Sequence, residues 1–285
     1  MPAIQRVLFP VDLSLDYRTL NATTRRMFDR QNIEIVMLYA IEEPSRSVRG
    51  MEVARSMAQM EFLARKEFEF AQVSRRVDRG RAADCILEYA QNHEVDVIVM
   101  PAGGPESLRR SSLGHVTEEV LTGAPCAVWM EWMAGAMECV RHICCAVGLD
   151  GSDEAVLCRA AEVAEEFEAE LTIIHAVAPE PPMVLWWDAD AFEQEIRVAR
   201  LRVDQLRERF APAARLHVEA GRVDWVVSQA LYRLDAGLLV AAGQGDAIVA
   251  AAMACPVLRI AKPLPQMARA SQPHRAGAFA VSAIA

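Results

Sequence analysis

VDVIVMPAGGPESLRRSSLGHVTEEVLTGAPCAVWM, Val95 to Met130, holds two short apolar runs, VDVIVM and CAVWM, separated by a glycine-bearing loop and a segment with helical spacing. Such runs joined by a helical stretch are the pattern of parallel strands linked by a crossover helix. Working back toward the start of the chain, RVLFPVD, IEIVMLYAI and AQVSRRV read as three further strands, and VDVIVMP and CAVWMEW complete a set of five. LDYRTLNATTRRMFDRQ, SVRGMEVARSMAQMEFLARKEFEF, AADCILEYAQNHE and VTEEVLTGA lie between them as crossover helices with charged outer faces. The predicted class is α/β, built on a parallel doubly wound sheet.

Working forward, the plan repeats. HICCAVGL, LTIIHAVA, ARLHVEAG, AGLLVAA and CPVLRIA read as strands, with SDEAVLCRAAEVAEEFEA, DAFEQEIRVARLRVDQLRERF, DWVVSQALYRL and DAIVAAAM as helices between them. Two five-stranded units in one chain predict a pseudo-symmetric pair. Residues 1–132 form the first unit, 133–140 a linker and 141–262 the second. From Pro263 the chain is rich in Pro, Ala and polar residues and is expected to be a disordered tail.

The chain has 285 residues, 53% of them hydrophobic, enough for two domains with real cores. A formal net charge of -9 argues against nucleic acid and anionic membrane as partners. No apolar run approaches the ~20 residues of a membrane span, so a cytoplasmic protein is expected. Seven cysteines without a CxxC pair do not resemble a disulfide framework, and most read as buried small hydrophobes. Cys139 and His142 have the spacing of half a metal site, but no second half is visible, so no metal is assigned.

In a doubly wound sheet, ligands bind beyond the carboxyl ends of the strands, where strand order reverses. The turn after the first strand, PVDLSLD, has no glycine, so the dinucleotide fingerprint is missing. GxxxxGK[ST], GxSxG and HExxH are missing as well. What remains is Asp12 after the first strand and the glycine loop after the fourth, neighbours in a 3-2-1-4-5 strand order. A carboxylate accepts hydrogen bonds from ribose or an adenine amino group, while a glycine loop entering a helix offers N–H donors to phosphate.

At these residues the chain resembles the universal stress protein family in its tandem, two-repeat form, an HUP-like fold. Val11-Asp12 matches the end of that family's first strand. Gly104 and Gly114 match the spacing of the family pattern G-x2-G-x9-G-[S/T], and Ala124-Pro125-Cys126 matches its entry into the fifth strand. The resemblance implies a site for ATP or another adenine nucleotide at Pro10, Val11, Asp12, Ala40, Met100, Gly103, Gly104, Gly114, His115 and Val116. It also implies pairing of the fifth strands in an intramolecular pseudo-dimer, with further homodimerisation left open, and a role in stress sensing or regulation. Two residues depart from the pattern. Pro101 stands at the first glycine position, fixing φ and removing an N–H, and His115 stands where the pattern has Ser or Thr.

The second copy is expected to lack the site. Gly80-Arg81 aligns with Gly221-Arg222 and Cys126 with Cys255, which leaves no counterpart for Pro105 to Val116 and puts Gly148 opposite Asp12.

Each residue also has a structural reading. Asp12 serves equally as a helix cap, Gly104 and Gly114 as turn residues, His115 as part of a helix's first turn, and Arg109, Arg110, Ser111 and Ser112 as solvated loop. His175 reads as a satisfied core histidine, and Asp150-Gly151-Ser152-Asp153 as a turn with a helix cap. No catalytic set can be assembled, so slow ATP hydrolysis is the most enzymatic activity expected. The alternatives are a nucleotide-free interaction protein using the loop and Trp186-Trp187, and, more weakly, an adenine-nucleotide hydrolase-like enzyme.

Overall fold

The computed structural model describes residues 4–13, 20, 22–42, 49–101, 114–131, 140–178, 189–242 and 255–260. The strands of the first repeat are β1 (Arg6–Pro10), β2 (Glu34–Ile41), β3 (Gln72–Arg79), β4 (Val97–Pro101) and β5 (Ala127–Glu131). Those of the second are β6 (His142–Ala146), β7 (Glu170–Val177), β8 (Arg215–Ala220), β9 (Leu238–Ala242) and β10 (Val257–Ile260). The helices are α1 (Ala22–Phe28), α2 (Arg49–Glu67), α3 (Ala82–Asn92), α4 (His115–Gly123), α5 (Asp153–Phe167), α6 (Ala189–Phe210) and α7 (Val223–Arg233). The expected helix DAIVAAAM, Trp186-Trp187, Trp132 at the end of the first unit, the linker's residues 133–139 and the tail lie outside the described residues.

All ten strands join one sheet in the order β3-β2-β1-β4-β5-β10-β9-β6-β7-β8. Each half therefore has the expected 3-2-1-4-5 order. Pairing is parallel within each half and antiparallel only at the β5–β10 seam. There Leu258 stands opposite Trp129, flanked by Val257 opposite Met130 and Arg259 opposite Val128. Val99 pairs with Trp129 in the first repeat as Val240 pairs with Leu258 in the second, so Leu258 is the counterpart of Trp129. A residue facing its own counterpart marks an approximate two-fold axis through the seam.

Alternation along the strands divides the core into two layers. Val7, Phe9, Ile35, Met37, Val97, Val99 and Trp129 point to one side, under α1, α2, α5 and α6. Leu8, Val36, Leu38, Ile98, Met100, Val128 and Met130 point to the other, under α3, α4 and α7. Cys85, Cys144, Cys145 and Cys255 are buried in these layers, and burial pushes the thiols of Cys144 and Cys255 up to about 12. They pack as small hydrophobes and stay protonated.

Trp129 locks the seam to the first layer. It is fully buried, its ring meets Phe28 edge-to-face at 5.3 Å, and its Nε1 donates to Thr24 Oγ1 at 2.9 Å. Across the same region α1 reaches α5 of the other repeat. Arg26 donates to Glu166 O at 3.2 Å and stacks over the Phe167 ring at 4.9 Å, and Arg30 pairs with Glu166. Helix α1 ends at Phe28, short of the expected Gln31. The carboxylate of Asp29 instead accepts the N–H groups of Glu69, Phe70 and Ala71 at the end of α2.

Trp129→Ala is expected to lower unfolding free energy by ~3–5 kcal/mol, by loss of a large buried side chain at the joint. Trp129→Phe, which keeps a ring but loses the N–H, should cost about 1–2 kcal/mol. Urea unfolding measures both, and a cost for Trp129→Ala below that of Trp129→Phe would refute the assignment.

Candidate functional site at the carboxyl edge of the first repeat

Strand β1 delivers Asp12 to the carboxyl edge. Pro10 is the last strand residue, in register with Leu38, and Val11 N–H continues the ladder by donating to Leu38 O at 2.9 Å. Val11 is buried and Asp12 is exposed. Beside β1, β4 ends at Pro101, in register with Glu131. The site is thus flanked by two neighbouring strands, as the topology of a doubly wound sheet requires.

Ala40, Met100 and Val116 come together in one apolar layer, the one beneath α3 and α4. Gly114 caps α4 with φ of -66° and ψ of 148°, and its carbonyl accepts the Glu118 N–H at 3.0 Å. This backbone conformation suits any residue, and a Cβ built on Gly114 would meet nothing within 4 Å among the described residues. Among the described residues neither the backbone angles nor the packing calls for glycine here. Gly103, Gly104, Arg109, Arg110, Ser111 and Ser112 lie outside the described residues.

His115 opens α4, with its Nδ1 2.7 Å from Glu119 Oε1. The same oxygen accepts Arg81 Nη2–H at 2.6 Å. Arg81 was not singled out as a site residue from the sequence, although Gly80-Arg81 recurs as Gly221-Arg222. Both glycines take a positive φ, +139° and +148°, which explains their presence at the turn after the third strand of each repeat. Tyr39 was also missed. Burial first, then the carboxylates of Glu52 and Asp12, pushes its phenol pKa up, which places that hydroxyl in the field of Asp12.

A cavity of about 440 Å³ lies at the opposite end of the sheet, lined by Arg6, Glu34, Glu94 and Asp96 among others. Its polar groups bond one another: Arg6 Nε donates to Glu34 Oε2 at 2.9 Å, and Asp96 Oδ2 accepts the N–H groups of Gln5 and Arg6. It is remote from the strands' carboxyl ends, where this topology places ligands.

The second repeat keeps the frame and changes the groups. Val147 N–H donates to Ile174 O at 3.0 Å as Val11 does to Leu38, so Gly148 occupies the place of Asp12. His175 opposes Val218 as Tyr39 opposes Val77, and its Nδ1 lies 2.9 Å from Val147 O, a partner that can only accept. Its Nδ1 is satisfied, but the ring is half-buried rather than in the core, where the sequence placed it. The turn after β6 is filled by its own carboxylate: Asp153 Oδ1 accepts the N–H groups of Gly148 and Leu149 at 3.0 Å, and Oδ2 that of Gly151 at 3.3 Å. Ser152 stands at the cap position but makes no side-chain cap; its hydroxyl donates to Asp150 Oδ1 at 2.6 Å. His142 is held 2.8 Å from Thr172 Oγ1, and Cys139 lies outside the described residues. Asp153→Ala removes an acceptor shared by three N–H groups, so a loss of roughly 1–3 kcal/mol is expected in urea unfolding. An unchanged midpoint would show that something else holds the turn.

The sequence model of the universal stress protein family matches residues 3–130. A universal stress protein from Archaeoglobus fulgidus DSM 4304 is similar in structure with a TM-score of 0.66 at 17% identity, over 90% of this chain and 98% of that one. A functionally unknown protein from Pseudomonas aeruginosa PAO1 has a TM-score of 0.62 at 16% identity, over 92% of this chain and 94% of that one. At these identities the likeness establishes the fold, and it runs through both repeats. A universal stress protein in complex with cAMP, 18% identical, covers 36% of this chain and 76% of its own, with a TM-score of 0.29. No curated protein matches the sequence. Residues 3–130 thus match the universal stress protein family, and the fold of that family's solved structures repeats itself across the β5–β10 seam.

Proposed function

We propose that the chain is a cytoplasmic stress-response regulator that binds one adenine nucleotide, ATP or a close relative, in its first repeat. Residues 1–132 form the binding unit and 141–262 a degenerate partner. The observation that carries this reading is Gly114. It has ordinary backbone angles and, among the described residues, open space where a side chain would go, which supports a role for its missing side chain in the close approach of a ligand. Asp12 supplies a carboxylate for ribose or adenine at the end of β1, and Ala40, Met100 and Val116 supply an apolar floor for the base. Among the described residues no helix is long and apolar enough to cross a membrane, in keeping with this reading.

One observation favours the alternative of a nucleotide-free interaction protein. On α7, Trp225 is 49% and Tyr232 86% exposed, seven residues apart and so on nearly the same helix face.

Calorimetric titration of the full chain with ATP separates the two. Saturable micromolar binding is expected, reduced at least tenfold by Asp12→Ala and by Gly114→Val, with both variants unfolding at the wild-type temperature. No heat at millimolar ATP from folded protein would reject the nucleotide reading.

A further inference from the structure

The turn between β3 and α3 is pinned beside the end of β2. Gly80 N–H donates to Ile41 O at 3.1 Å and Ala82 N–H to Glu42 Oε1 at 3.1 Å, next to Ala40 in the apolar floor. From this turn Arg81 extends over the carboxyl edge to α4, where its Nη2 and His115 Nδ1 meet the same oxygen, Glu119 Oε1, at 2.6 and 2.7 Å. Asp84 is a more distant partner of Arg81, at 3.7 Å. Two donors from different elements converge on one anionic oxygen, the arrangement that a phosphate oxygen would also satisfy.

Nothing in the packing demands this trio. Arg81 and His115 have side chains 60% and 80% exposed, so their bonds to Glu119 add little to stability. The second repeat lacks it. Arg222, the counterpart of Arg81, turns onto its own helix, with Nη2 2.7 Å from Asp224 Oδ2 and Nε 3.1 Å from Oδ1. The position aligned with Glu119 is Ile248. The trio occurs where the other features of the candidate site occur and is missing where they are missing.

We infer that Arg81 and His115 form a side-chain clamp for the phosphate groups of the nucleotide, and that Glu119 is the built-in anion with which those phosphates compete. The inference rests on the nucleotide reading and adds to it the residues that distinguish a phosphorylated ligand from a bare nucleoside. Arg81 supplies a permanent charge and a planar set of donors suited to phosphate. Glu119 holds both donors in place and lowers the gain when phosphate displaces it.

Titration of the full chain with ATP, AMP and adenosine tests it. Arg81→Gln should weaken ATP at least tenfold and leave adenosine within about twofold, since one charge-assisted contact to phosphate is lost and none to the nucleoside. Glu119→Gln should tighten ATP several-fold with adenosine unchanged. Thermal unfolding of each variant identifies any general damage, which would weaken all three ligands alike. Wild-type binding of ATP that Arg81→Gln leaves unaltered, or that Glu119→Gln weakens, overturns the clamp alone. Failure of the wild type to bind any of the three overturns the nucleotide reading and the clamp together.

Discussion

The antiparallel pairing of β5 with β10 is the contact on which the rest of the molecule depends. Each repeat is a five-stranded sheet whose last strand would leave a row of N–H and C=O groups open to any other strand. In this chain each repeat closes the other's edge, and the sheet runs unbroken through ten strands. The pairing is centred where Trp129 meets its counterpart Leu258, so the two halves are related by rotation without having identical side chains. The asymmetry is structural from the outset. The first repeat places an indole at the axis, with a hydrogen bond to Thr24 and a ring contact to Phe28, and the second places an aliphatic side chain there.

A symmetric frame with unequal side chains lets one repeat specialise. The frame fixes where each strand's hydrogen-bond ladder ends, at Val11 and Val147, and therefore which residue comes next. In the first repeat that residue is the exposed carboxylate of Asp12; in the second it is Gly148, and the neighbouring N–H groups are taken by Asp153. A carboxylate already bonded to the turn leaves those backbone donors occupied, which fits a repeat whose contribution is to complete the sheet and cover an edge.

Much of this was legible in the sequence because the sheet is parallel and buried. Strands such as VLFP, IVML, ICCA and LLVA are nearly continuous apolar runs, which a helix of this size with one wet face would not show. The two-repeat plan and the equivalence of Asp12 with Gly148 followed from aligning those runs. What escaped reading were groups whose partners are far away in sequence. Nothing in the local sequence marks Arg81, because its bond to Glu119 spans 38 residues. Asp29 sat inside an expected helix, although its carboxylate serves the backbone of Glu69 to Ala71. Asp150-Gly151-Ser152-Asp153 reads as a turn with a helix cap, but the direction of the Asp153 bonds, back into the turn rather than forward into the helix, depends on the path of the chain after β6.

Pro101 and His115 can then be read as a change in the kind of donor rather than a simple loss. A phosphate loop built of glycines presents backbone N–H groups, neutral donors whose positions are set by the fold. Pro101 removes one such group, and His115 replaces a small hydroxyl with a ring held by Glu119. Arg81 and His115 stand at the same rim as side-chain donors, and the guanidinium of Arg81 carries a charge that backbone donors lack. Charge strengthens attraction to a polyphosphate, but it also makes the attraction sensitive to salt and to any neighbouring carboxylate. In the proposed site the balance is therefore set by Glu119, because its one oxygen already occupies both donors that the phosphate would need.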